Sequence, residues 1–253
     1  MSIDVFYKEN QCYGEFNDGD IVENKPIGFP QDKGKLKPYS NLFYWANAFS
    51  EVGSTIGMHA HQGFEIFSYV IRGSIEHFDS KSKTWNKLHA GDAQVIKSGS
   101  GISHSERFHP GTQIFQIWFN PDLKKTLTLP AIYTDFNSDL FHVIEAQKRI
   151  IKTIVGSGSP IELDSYGLRI KEITFFAGNH FLALEPTSYY SIYCIKGSIE
   201  MSSHSIGDDD FMLVYEELSL DITAATDTKV FIIESPESLS YLTYFQMYPQ
   251  KYT

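Results

Sequence analysis

Apolar and polar residues alternate along most of this chain in short runs, broken by glycine, proline, asparagine and aspartate. This is the period of a strand with one buried face, and turn signals at close intervals predict an all-β protein. Residues 42–50, rich in Phe, Tyr and Trp, predict a buried strand, and 112–119 predict one buried on both faces. Further strands are predicted over 66–71, 74–78, 85–88 and 93–96. Gly53 and Gly57 read as a turn leading into residue 59. Gly73 reads as the turn of a hairpin joining 66–71 to 74–78. Residues 1–40 hold turn signals more than periodicity and are expected to wrap a core or lend it one or two strands. After Pro121 and Pro130 the pattern loosens, and 140–150 fits either a helix or a strand pair.

The second half repeats the first. Val70-Ile71-Arg72-Gly73-Ser74-Ile75-Glu76 returns 124 residues later as Cys194-Ile195-Lys196-Gly197-Ser198-Ile199-Glu200. Each copy is followed by a Gly-Asp pair, Gly91-Asp92 and Gly207-Asp208. Turn chemistry is specific enough that duplication of one β-domain explains this better than chance. The expected division is 1–130 and 131–253, with the linker near 125–145.

Composition narrows the classes. Aromatic residues make up 15% of the chain, which suits sheets. A net charge of −10 without any basic run argues against nucleic acid as a direct partner. Cys12 and Cys194 follow no ligand spacing and are expected as free thiols in a reducing compartment. No apolar run approaches the roughly 20 residues of a membrane span. Residues Met1 to Asp4 carry no basic or apolar leader pattern, so a cytoplasmic location without membrane attachment is expected.

Candidate chemistry concentrates in 59–106. Residues two apart in a strand share a face, so His59 and His61 project together, as do His104 and Glu106. If the segments meet, three imidazoles and one carboxylate converge on a mononuclear metal site. Neutral imidazoles with one carboxylate and no thiolate suit iron(II), Mn, Ni, Co or Zn, with positions left open for a substrate oxygen and O2. Glu106 is also the candidate catalytic base. Glu65 shares parity with His61 and is expected behind the ligands rather than among them. His77 and Asp79 are expected as a surface hydrogen-bonded pair, and His89, His109, His142, His180 and His204 have no ligand-spaced partner. Shifted by 124 residues, His59 and His61 fall on Ala183 and Glu185. Counted from the second Gly-Asp, His104 and Glu106 fall on Leu220 and Ile222. The second copy therefore lacks the ligands. Phe43, Phe64, Phe67 and Phe115 are candidates for a flat aromatic pocket, and core packing explains them equally well.

Gly53, His59, His61, Glu65 and Gly73 follow the first motif of the cupin superfamily, with one extra residue before the last glycine. The later residues depart from the second cupin motif and resemble the pirin family: His77-Phe78-Asp79-Ser80, Gly91-Asp92-Ala93-Gln94, then Gly99-Ser100-Gly101-Ile102-Ser103-His104-Ser105-Glu106, with Gln116-Ile117-Trp118 and Pro121 beyond. Ala60, Gln62, Val95 and Ser98 depart from the family pattern without removing a ligand. The resemblance implies a bicupin, two antiparallel β-barrels (double-stranded β-helices) packed face to face. It also implies one divalent metal, iron(II) first, on His59, His61, His104 and Glu106. Two functions follow from it. One is a quercetin 2,3-dioxygenase-like oxidoreductase acting on a flavonol with O2. The other is a non-enzymatic iron-binding redox or metal sensor that works through a protein partner.

Overall fold

The computed structural model describes residues 2–252, which form 22 strands and only short helices. They group into two compact units. The first comprises residues 11–139, 163–165 and 241–252; the second comprises 2–10, 140–162 and 166–240.

In the first unit a seven-stranded sheet runs in the order Ile132–Phe136, Ala93–Lys97, Glu65–Arg72, Thr112–Phe119, Leu42–Ser50, Ile21–Ile27, Cys12–Phe16. Its partner sheet has Ser54–His61, Ile102–Phe108, Ser74–Asp79 and Trp85–His89. Ile21, Ala48, Val70 and Ile114 of the large sheet meet Ile75, Leu88 and Phe108 of the small one in a single buried cluster. The inward parity of each strand supplies that cluster, and its burial is what holds the sheets together.

The second unit repeats this plan. Its large sheet runs Ser2–Phe6, Phe211–Tyr215, Ser188–Lys196, Thr228–Pro236, Arg169–Phe175, Arg149–Val155, His142–Ala146. Its small sheet runs Gly178–Ala183, Ser219–Ala224, Ile199–Met201, His204–Ile206. The strand orders of the two units superimpose position for position. Each unit is a jelly roll of two open sheets rather than a closed barrel, the cupin form of an all-β double-stranded β-helix.

Several local expectations change. Gly73 does not close a hairpin, because the strands on either side of it belong to different sheets. It is a corner where the chain crosses from the large sheet to the small one. Its φ is +76°, and a Cβ there would lie 2.6 Å from Thr112 Oγ1. That hydroxyl donates to Ser74 O and accepts from Ser74 N. Gly197 repeats the corner, with φ +94° and Thr228 Oγ1 in place of Thr112 Oγ1. Gly57 lies inside the strand Ser54–His61 and makes no turn. Residues 140–150 hold the strand pair His142–Ala146 and Arg149–Val155. Residues 1–40 supply three strands, because Ser2–Phe6 joins the large sheet of the second unit.

The Gly-Asp match is also displaced. Asp92 N–H and carbonyl hold the corner of the first unit, where its O accepts from Val70 N and its carboxylate from His89 N and Ser138 N. In the second unit Asp210, not Asp208, takes these partners, accepting from Cys194 N, Gly207 N and Lys8 N.

Candidate metal centre

The strands Ser54–His61 and Ile102–Phe108 pair antiparallel in the small sheet of the first unit, with His59 opposite His104 and a bulge between His104 and Glu106. Parity and pairing together bring His59, His61 and His104 into one group whose ligand atoms lie within 4.8 Å of one another. His61 Nε2 and His104 Nε2 are 2.8 Å apart. Two nitrogens bound at right angles to one ion would stand about 2.9 Å apart, from the usual metal–imidazole distance. His59 Nδ1 donates to Gly57 O at 2.8 Å, since a carbonyl only accepts, and this leaves Nε2 as the free lone pair.

Two of the three imidazoles, His61 and His104, are held neutral. Burial and then the neighbouring His59 push the His61 pKa down to about 3. The same causes push His104 well below its ordinary value. Three imidazoles whose ring nitrogens converge in this way form a donor set that fits a divalent transition ion.

Glu106 is fully buried on the strand of His104. Gln116 Nε2 donates to both of its oxygens, at 3.0 and 2.9 Å. Burial lifts the carboxyl pKa to about 7, against the lowering effect of Gln116. The close ligand group among the described residues comprises the three histidines, and Glu106 reaches the same cavity as His59 and His61.

His77 and Asp79 are not at the surface. Both are fully buried. His77 Nδ1 lies 3.4 Å from His104 Nδ1, and its Nε2 lies 3.6 Å from Asp79 Oδ2. The His77 ring stacks on Tyr133 at 4.3 Å and 11°. Burial lowers the His77 pKa to about 4, with Asp79 opposing. Asp79 is fixed in turn by Lys81 N, Ser82 N and Ser82 Oγ. Parity predicted that the pair shares a face but not that this face points inward. Glu65, by contrast, turns away from the histidines. Its carboxylate accepts from Asp164 N at 2.6 Å and Ser165 N at 2.8 Å.

The histidines open on a cavity of about 290 Å³. Its walls include Phe29, Tyr44, Ile56 and Trp118. Trp118 meets His61 edge-on at 4.7 Å and donates from Nε1 to Gln116 Oε1. Tyr44 stacks on Phe29 at 4.2 Å. Phe43 and Phe64 pack against this aromatic group together with Tyr244, whereas Phe67 and Phe115 are fully buried core. Sequence reasoning assigned no role to Gln116, Glu23 or Tyr44. The available signal was parity: Gln116 shares its face with Ile114, and Glu23 shares its face with Ile21, both of them core residues.

In the second unit strand pairing places Leu182 opposite Leu220, as His59 stands opposite His104. The equivalents of His59 and His61 are therefore Leu182 and Leu184, one residue before the positions given by the 124-residue shift. Leu220 and Ile222 stand where His104 and Glu106 do, and all four pack in an apolar cluster with Met201 and Met212.

Two jelly rolls of one topology, one carrying a partly buried histidine group at an aromatic cavity, define a bicupin with one candidate metal centre among the described residues. A family model described as Pirin matches residues 31–119. A Pseudomonas aeruginosa protein assigned by name to quercetin 2,3-dioxygenase is 31% identical over 205 residues, covering 78% of this chain and 84% of that protein. The Escherichia coli K12 quercetin 2,3-dioxygenase is 25% identical over 194 residues, covering 74% and 78%. Among solved structures, YhhW from Escherichia coli aligns with a TM-score of 0.77 at 19% identity, covering 94% of this chain and all of that one. The same bacterial pirin in complex with nickel(II) aligns with a TM-score of 0.76 at 20% identity, covering 93% and 100%. The chain belongs to the pirin family.

Proposed function

We propose that this protein is a metal-dependent dioxygenase of the pirin type, acting with O2 on a quercetin-like flavonol or a similar enolisable aromatic. The observation that carries the reading is the set of three converging histidines at an aromatic cavity that a buried carboxyl also lines. His59, His61, His104 and Glu106 would hold one divalent ion, iron(II) first, with Ni, Mn, Co and Zn compatible with the same donors. A bound ion supplies a Lewis-acidic, redox-capable centre with positions for a substrate oxygen and for O2.

The chain's own residues do the rest. Trp118, Phe29 and Tyr44 present flat apolar walls to an aromatic ring. Glu106 takes the proton of an enol hydroxyl when it is released from the ion, where burial lifts its carboxyl pKa to about 7. Gln116 orients both carboxylate oxygens and is itself oriented by Trp118 Nε1. A substrate-sized cavity reaching the histidines favours turnover over the alternative of a metal sensor acting through a protein partner.

The test is O2 uptake with quercetin by protein loaded with iron(II), nickel(II) or manganese(II). Uptake should require a metal and fall at least about 100-fold in Glu106→Gln, the scale of losing a general base. Stoichiometric metal with no uptake for any loading would overturn the dioxygenase reading.

A further inference from the structure

Glu23 lines the same cavity as His59, His61 and Glu106, and the chemistry above gives it no task. It lies on the strand Ile21–Ile27, whose inward face also carries Ile21 of the inter-sheet core. The side chain is only 7% exposed. A carboxyl so desolvated ordinarily has its oxygens satisfied. Here Tyr44 Oη donates to Oε1 at 3.1 Å, while Oε2 makes no hydrogen bond among the described residues. The charge of Lys25 acts on Glu23 against the effect of burial, but its Nζ makes its ion pair with Asp32 Oδ2, at 2.8 Å, and not with Glu23. Gly14 makes room for both side chains, since a Cβ there would lie 2.9 Å from Glu23 Oε2 and from Lys25 Nζ.

A carboxylate held by a tyrosine through one oxygen, with the other left to accept, is complementary in an aromatic cavity to a ligand hydroxyl. We propose that Glu23 is a specificity-determining contact, taking a ring hydroxyl of the aromatic substrate on Oε2 while Tyr44 holds Oε1. The preferred substrates are then polyhydroxylated aromatic enols rather than bare ones. This rests on the reading of the cavity as a flavonol-type site. The selectivity arises because a site built to accept a hydroxyl leaves a buried polar group unpaired when the hydroxyl is missing.

The experiment compares binding of quercetin and of 3-hydroxyflavone, which keeps the enol and lacks the other hydroxyls, by tryptophan fluorescence quenching of the metal-loaded protein without O2. The native protein should bind quercetin at least about tenfold more tightly, a difference one good hydrogen bond to a carboxylate provides. Glu23→Leu should bring the ratio of the two dissociation constants close to one. Glu23→Gln keeps the size and an acceptor oxygen and should give an intermediate ratio. Metal content, measured on each variant, should not change. If both compounds bind and their ratio is the same in the native protein and both variants, the assignment to Glu23 fails while the cavity reading stands. If neither compound binds the native protein, the cavity reading itself fails and Glu23 with it.

Discussion

His104 is engaged from both sides of its ring. Nε2 faces His61, and Nδ1 faces His77, which is backed by Asp79 and clamped flat against Tyr133. With His77 Nδ1 as acceptor, the His104 Nδ1 keeps its proton and Nε2 remains a lone pair, the tautomer a metal ligand needs. His77→Gln should therefore weaken divalent-ion affinity by about 10- to 100-fold with little loss of secondary structure, the scale expected for partners that orient a ligand. Competition against a chromogenic chelator measures this, and an unchanged affinity would show that His77 is only core packing. The sequence named His77 and Asp79 as sharing a face. It could not place them, because periodicity of two relates neighbours on one strand and does not say which side the second sheet covers.

The two corner glycines are where the duplicated fold is most constrained. At Gly73 and Gly197 the chain leaves the large sheet with positive φ and passes within contact of a threonine that binds the next residue on both its N–H and its carbonyl. An alanine at either place meets a left-handed backbone and a close Oγ1 at once. Gly73→Ala and Gly197→Ala should each cost about 2 kcal/mol or more, read from chemical-denaturation midpoints. A midpoint unchanged in either variant would contradict the shared role. These corners were visible as a repeated Gly-Ser, but they read as hairpins. A glycine turn signals a reversal, and whether the returning strand pairs locally depends on Thr112 and Thr228, some 30 to 40 positions away. The strands themselves were legible from alternation, because burial on one face requires it. The exchange of short terminal segments was not, since Ser2–Phe6 is too short to announce which sheet it joins.

At the scale of the whole molecule, one topology has been kept twice and chemistry once. Leu182, Leu184, Leu220 and Ile222 fill in the second unit the places of His59, His61, His104 and Glu106. The second interior buries apolar side chains where the first holds four polar groups, two of which, His104 and Glu106, are fully buried. Dispensing with those groups removes a desolvation cost that ligand binding would otherwise have to offset. The two units also interleave along the chain, residues 2–10 packing with the second and 241–252 with the first, whereas the sequence alone suggests one division at 130. No helix among the described residues is long and apolar enough to cross a membrane. The repeat was readable because turn residues survive duplication. Its register was not, because one- and two-residue shifts before His59 and around Asp210 leave the glycine spacing almost unchanged.

A centre built from His59, His61, His104 and Glu106 should take one divalent ion per chain. Equilibrium dialysis of the full-length protein against iron(II) without O2, and against nickel(II), followed by elemental analysis, tests it most directly. The expected result is about one ion per chain, and none retained when His59, His61 and His104 are all replaced by alanine in protein that remains folded by circular dichroism. Retention of a stoichiometric ion by that triple variant, or no binding by the native chain, would contradict it.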